Sequence, residues 1–288
     1  MRYYFAGAET HWEKLEDAGT KSVLAAYPAF WRARTDKDVT AVLGSKVFQH
    51  VAIDSGAHSL QKSTEGYDLD KFVKGWMDFV RTHRDNPRID WFAEMDIQEQ
   101  VGLRQVKKWR RALLKLTPKI MPVWHPAEGI KGWKELVKNY EMVATGGKGW
   151  RFIPGDTLAG MSVLAYDAGR WHHGFGCTTT KLAISIPFCS IDSTSWLAGE
   201  QYGQVVQQES RSYHLKQRGG RLLRNCEPSL IEVTKPYKRR THRMVQHYKE
   251  HEQFVTRLWE KRGIFFNEDG PCPKPKRKRK PASRKAKR

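Results

Sequence analysis

HVAIDSG at 50–56 and PFCSIDS at 187–193 are two short apolar runs, about half a chain apart, and each ends in Ile-Asp-Ser. An apolar run of four to eight residues bounded by turn-forming residues reads as a strand buried on both faces, the kind a parallel sheet contains. Six more runs share the pattern: RYYFAGA at 2–8, SVLAAYP at 22–28, DWFAEMD at 90–96, KIMPVWH at 119–125, EMVATGG at 141–147 and WHHGFGC at 171–177. The intervals between them have a helical period. Phe72, Val73, Trp76, Phe79 and Val80 fall on one helical face, and so do Leu103, Val106, Trp109 or Arg110, Leu113 and Leu116. Trp133, Leu136, Val137 and Tyr140 repeat the spacing. Strands alternating with helices predict an α/β fold, and eight of them predict a (β/α)8 TIM-type barrel. An open doubly wound sheet is the alternative, but no GxGxxG turn follows any strand.

The chain changes character after the eighth run, which divides it into a barrel at 1–214, a basic loop and helix extension at 215–269, and a Lys/Arg/Pro-rich tail at 270–288. The tail is expected to stay disordered. The basic loops KQRGGRLLR (216–224) and KPYKRRTHR (235–243) supply candidate phosphate contacts: Lys216, Arg218, Arg221 and Arg224 in the first, Lys238, Arg239 and Arg240 in the second. A helix is predicted over 242–262, with Met244, Val245, Tyr248, Val255, Leu258 and Trp259 at helical spacing.

With 39% hydrophobic residues and eleven Trp among 288, the chain can fill a large core, which excludes disorder as its main state. The formal net charge is +20. The tail holds ten Lys/Arg and no acid, so +10 belongs to residues 1–269. A basic body with a basic tail suits a polyanion, because neutralising phosphates releases counterions. Cys177, Cys189, Cys226 and Cys272 form no CxxC pair. This argues for a reducing compartment and against a disulfide framework or zinc ribbon. No stretch is apolar enough to span a bilayer and no signal peptide is apparent, so no membrane partner and a cytoplasmic location are expected.

In a parallel barrel, one rim collects the strand ends: Asp54, Asp96, His125, Gly146 with Gly147, Gly174 with Gly176, and Asp192. Three carboxylates on one rim repel each other, which suits acid/base or nucleophilic chemistry. Taken singly, Asp54-Ser55-Gly56 and Asp192-Ser193-Thr194 serve equally well as helix caps. Gly146-Gly147 reads as a turn or as a place where a planar ligand meets the backbone. His172 and His173 could join Cys177 or Cys189 on zinc, but no standard metal spacing is present, so no metal and no cofactor are assigned.

Asp54-Ser55-Gly56-Ala57-His58-Ser59 resembles the DSGGFQ or DSGAFS motif of the tRNA-guanine transglycosylase superfamily. FAEMD at 92–96, VATGG at 143–147, HGFGCT at 173–178 and SIDSTSW at 190–196 resemble further motifs of that family, in the same order. The set covers roughly residues 2–200 and is most similar to the phage and bacterial branch that acts on DNA, the deazapurine-DNA transglycosylases. The resemblance implies a (β/α)8 barrel that exchanges guanine for a 7-deazaguanine base such as preQ0, in the host cytoplasm if phage-encoded. It implies that Asp192 is the nucleophile and Asp54 the proton-handling group, with Asp96 reading the base. It also implies that Ser55, Gly56, His125, Gly146, Gly147, His173 and Gly174 line the pocket. Two features depart from the family. The CxCxxC…His zinc site of the tRNA enzymes has no counterpart, since Cys226 stands alone. The glutamine near the fifth strand is not evident either, since that run ends in His125.

The resemblance implies DNA as the polymer, as a duplex with a flipped guanine or as a single strand. The alternatives are a tRNA-guanine transglycosylase acting on tRNA, a barrel that binds nucleic acid without catalysis, and an unrelated barrel hydrolase of small molecules.

Overall fold

The structure is a computed structural model that describes residues 1–27, 35–57, 68–146, 153–177, 179–197, 204–206, 212–214, 237–267 and 270–271. Gly147, Lys216, Arg218, Arg221 and Arg224 lie outside the described residues, as does 272–288. For Lys238, Arg239 and Arg240 only the backbone is described.

All eight apolar runs form strands: β1 (Arg2–Ala6), β2 (Ser22–Ala26), β3 (His50–Asp54), β4 (Ile89–Ala93), β5 (Ile120–Met121) with β6 (Val123–Trp124), β7 (Met142–Thr145), β8 (Trp171–Gly174) and β9 (Ser190–Ser193). They make one parallel sheet in the order β5-β4-β3-β2-β1-β9-β8-β7-β6. The two outermost strands are halves of a single run, IMPVW, interrupted at Pro122. The sheet therefore comes round on itself as a nearly closed barrel. Proline has no N–H to give to a ladder. On one side of it β5 pairs with β4 (Phe92↔Ile120), and on the other β6 pairs with β7 (Val123↔Ala144).

Period-two alternation sorts the strand side chains. Tyr3, Phe5, Val23, Ala25, Val51 and Ile53 face the helices. Tyr4, Ala6, Leu24, Ala52, Trp91, Ala93, Met121, Val123, Ala144 and Trp171 fill the barrel. The N-terminal end of the barrel is closed by Asp90, which accepts from Tyr4 Oη (2.6 Å) and Arg2 Nη1 (3.1 Å) and meets His50 Nδ1 at 3.2 Å. Toward the C-terminal end, Ala6 and Ala93 are the last residues of β1 and β4 and follow Tyr4 and Trp91 on the inward face.

Helices α1 (Ala8–Asp17), α2 (Thr35–Gly44), α3 (Leu69–His83), α4 (Gln98–Val101), α5 (Leu103–Leu114), α6 (Gly129–Asn139), α7 (Gly155–Asp167) and α8 (Thr180–Ser185) connect successive strands. The expected faces are the ones buried: Phe72, Val73, Trp76 and Val80 in α3, Val106, Arg110 and Leu113 in α5, and Trp133, Leu136 and Val137 in α6. The C-terminal helix α9 runs over Tyr237–Lys261, so it begins five residues before the predicted start and takes in much of the second basic loop. It packs against α8, β1 and α1, where the eighth βα unit requires its helix. Met244, Val245, Val255 and Trp259 are buried there, Tyr248 stacks on Tyr3 at 5.0 Å, and Trp259 Nε1 donates to the Ala183 carbonyl (2.9 Å). Two short antiparallel ladders complete the described chain, β10 (Gln204–Val206) with β11 (Ser212–His214) and β12 (Phe266–Asn267) with β13 (Gly270–Pro271). Gly270 and Pro271, grouped with the tail on sequence grounds, are therefore in a strand, with Gly270 close against the Trp171 ring.

Candidate active site at the barrel mouth

Asp192 is the third residue of β9, pairs in register with Tyr4 of β1, and is 8% exposed. Its Oδ1 accepts the Gly176 N–H (3.0 Å) and meets His173 Nε2 at 3.2 Å. His173 is fully buried, and its ring lies among Tyr4, Trp91 and Phe175 with centroids 6.0, 4.8 and 4.6 Å away. Its Nδ1 is 2.8 Å from Ser190 Oγ, which in turn accepts from Trp171 Nε1 at 2.7 Å. Trp171, His173, Ser190 and Asp192 face the barrel interior because each is two residues along its strand from the last, and β8 and β9 are neighbours (His173↔Ser190). The aromatic groups form a floor below the rim.

Asp54 ends β3, on the same rim, with β1 and β2 between it and Asp192. Its Oδ1 accepts the Gly56 N–H at 2.7 Å, a local turn of the kind a short carboxylate makes. Gly56 takes φ +73°, and a Cβ there would lie 2.5 Å from the Tyr27 carbonyl oxygen. Ser55 is 1% exposed and donates to the Glu94 carbonyl at 2.9 Å, tying β3 to β4. In the Asp-Ser-Gly motif, therefore, Ser55 and Gly56 hold the turn that places Asp54.

Asp96 follows β4 and is partly buried, with His125 Nδ1 3.5 Å from its Oδ1. Burial pushes its carboxyl up to about 8, helped by repulsion from Glu94 and Asp54, so it carries a proton at neutral pH. Asp54 ends β3 and Asp96 follows its neighbour β4, so both belong to the same stretch of the rim. Burial pulls His125 down to about 4, which leaves its imidazole neutral, and its Nε2 is buried without a hydrogen-bond partner. Beneath them Glu94, fully buried, takes a two-pronged grip from Arg110 (Nε–Oε2 2.5 Å, Nη2–Oε1 2.8 Å) and accepts the Val123 N–H at 2.6 Å. That carboxylate ties β4 to β6 and α5 beside Pro122, where the fifth strand is interrupted.

Gly146 and Gly174 are needed for packing. A Cβ at Gly146 would meet Phe175 Cβ at 2.5 Å, and one at Gly174 would meet the Phe188 ring at 2.9 Å. His172 points away from the mouth. Its Nδ1 lies 3.0 Å from Ser162 Oγ and its Nε2 3.0 Å from Thr145 Oγ1, and burial lowers it to about 3. It is a core histidine and not a ligand. Cys177 and Cys189 are buried free thiols, each pushed up by burial, Cys189 to about 12. His247 and His251 share a face of α9 beside a cavity of about 370 Å³, but among the described residues no three side chains form a metal-binding group.

The structure thus brings Asp54, Asp96, His125, His173 and Asp192 to one end of the barrel. Sequence reasoning missed Glu94, Arg110 and Ser190. The alternation of inward and outward positions in FAEMD and SIDS could have singled out Glu94 and Ser190. Chemically, the rim offers a carboxylate fixed through one oxygen and a carboxyl that retains its proton at neutral pH. Comparisons of the chain with known protein families, with curated proteins and with solved structures find no match.

Proposed function

We propose that the chain is a transglycosylase that exchanges guanine in DNA for a 7-deazaguanine base, with Asp192 as nucleophile. The observation that carries the reading is the seating of Asp192. Both of its recorded hydrogen bonds engage Oδ1, at the C-terminal end of an inward-facing strand and on the rim shared with Asp54 and Asp96. Breaking a glycosidic bond builds positive charge on the sugar, and a carboxylate held in place can stabilise that charge or bond to C1′. Oδ2 is the oxygen that does so in this reading.

The departing guanine takes a proton and the incoming base gives one up. Asp54 serves that transfer from the facing side of the rim. Asp96 reads the base. A guanine-type edge presents two adjacent N–H donors, so its capture expels to solvent the proton that Asp96 holds in the free protein. Phe175, only partly buried beside His173, offers the base an aromatic surface. A base stacked in a duplex reaches such a pocket only by flipping out, at a cost of a few kcal/mol. The +20 charge of the chain supports a polyanionic partner that can offset it.

The test is incorporation of labelled 7-deazaguanine into DNA and, separately, into tRNA. Wild type should label DNA and Asp192→Asn should label nothing. Equal labelling by both proteins refutes the role of Asp192, and labelling of tRNA alone moves the substrate to tRNA. Tight, salt-sensitive DNA binding with no exchange by wild type leaves a binding protein.

A further inference from the structure

We infer that Trp171, Ser190 and His173 form a one-way hydrogen-bond relay that presents Asp192 to its substrate through Oδ2, the oxygen with no hydrogen-bond partner among the described residues, with His173 fixed as the Nε2–H tautomer. The geometry decides the direction. An indole N–H only donates, so at 2.7 Å Trp171 Nε1 occupies a lone pair of Ser190 Oγ. Ser190 is fully buried, and its remaining partner among the described residues is His173 Nδ1 at 2.8 Å. The serine proton therefore points at Nδ1, which must accept it. The imidazole proton is then on Nε2, 3.2 Å from Asp192 Oδ1, where a carboxylate accepts it.

The other two states of the ring fail the same accounting. With its proton on Nδ1, a neutral His173 would turn the Nε2 lone pair on the carboxylate and leave the serine proton buried without an acceptor. An imidazolium would donate to Asp192 but would strand the serine proton in the same way. A buried donor left unmade costs about 1–3 kcal/mol, so the Nε2–H tautomer satisfies every group at once. The ring cannot swing out to escape, because Tyr4, Trp91 and Phe175 pack around it.

Three polar groups in series thus donate toward one oxygen, and such chains polarise each member in turn. With the Gly176 N–H, the relay anchors Oδ1 and leaves Oδ2 for chemistry. The order of residue types is that of a serine-histidine-aspartate triad, but the chemistry is reversed. Ser190 is sealed and donates inward, so it is no nucleophile, and the aspartate is the end that faces the mouth. His173 and Ser190 are positioning residues. Their catalytic meaning rests on the proposed nucleophile, whereas the tautomer does not.

The test has two arms that fail separately. In full-length protein with ¹⁵N-labelled histidine at neutral pH, two-bond proton–nitrogen spectra should give His173, assigned by its loss in His173→Gln, as the Nε2–H tautomer. Ser190→Ala should move the Nδ1 resonance, because it removes the hydroxyl that donates there, while Asp192 keeps the proton on Nε2. An Nδ1–H tautomer in wild type, or an Nδ1 resonance unmoved by Ser190→Ala, overturns the relay whatever the activity. In the exchange assay, His173→Leu should lower kcat about 10²–10³-fold, the usual cost of a lost donor at a reacting centre. KM for the base should hold. His173→Gln, which keeps an N–H near the position of Nε2, should recover most of the loss. A change in KM alone, or no rescue by Gln, overturns the positioning role. Absence of exchange in wild type with the Nε2–H tautomer present overturns the proposed function and supports the relay.

Discussion

Arg110 falls on the helical face whose spacing marks core residues, and it is 3% exposed, which is unusual for an arginine. The sequence left Trp109 and Arg110 open as the buried position, and the structure decides for Arg110 because Glu94, equally buried, needs a counter-charge. Removing one partner of such a pair leaves a bare charge in the core. Arg110→Met should therefore cost about 3–5 kcal/mol in urea unfolding, and Arg110→Met with Glu94→Leu should recover much of that loss. Asp96 behaves differently, because its folded pKa of about 8 lies above its ordinary 3.8. Between those values the folded chain keeps a proton that the unfolded chain has released. Its contribution is thus full at low pH and is lost as pH rises toward 8, by at most ~1.4 kcal/mol per pH unit. Asp96→Asn should be nearly neutral at low pH and increasingly stabilising relative to wild type toward pH 8, as urea titrations at several pH values would show. The strand-end aspartates were legible in the sequence because each closes an apolar run. Which groups they pair with was not. One carboxylate in FAEMD looks like the other until burial and pairing separate a structural Glu94 from a titrating Asp96.

At the scale of elements, the eight strands were legible because each is apolar on both faces, and three helices because their apolar stripes are unbroken. The split of the fifth strand had a signal in Pro122, and the sequence reading passed over it. The early start of α9 had none, since its first turn, Tyr237–Arg240, is as basic as the loop before it. The turn after β3 shows how local chemistry sets a site. Gly56→Ala has to force φ +73° on a residue with a side chain and to push a Cβ against the Tyr27 carbonyl, so it should destabilise by about 2 kcal/mol or more in thermal unfolding. The same variant should impair base exchange, because the Gly56 N–H is what holds Asp54 Oδ1. α9 contributes through Met244, Val245, Val255 and Trp259, which close the last gap in the helical ring.

For the whole molecule, charge distribution leads to a prediction that needs no knowledge of the reaction. The chain carries +20, of which +10 lies outside residues 270–288. Binding to duplex DNA should weaken linearly on a log–log plot against salt, with a slope of about −0.9 per phosphate neutralised. A chain ending at Pro271 should show a shallower slope that is still clearly negative, as fluorescence anisotropy across a salt series would show. A slope near zero would place all of the affinity in the tail. No described helix is long and apolar enough to cross a membrane. The barrel, finally, is not held equally all the way round. At the fifth strand the backbone ladder changes partner at Pro122: β4 holds the chain as far as Met121 through the Phe92 and Glu94 N–H groups, β7 holds it from Pro122 on through the Ala144 N–H, and the Glu94 carboxylate, gripped by Arg110, adds the Val123 N–H. This junction is thus held by two short backbone ladders and by a buried side chain together. The barrel therefore closes, beneath Asp96 and His125, partly through one carboxylate, so the seating of those two rim groups depends on a buried ion pair as well as on the ladder.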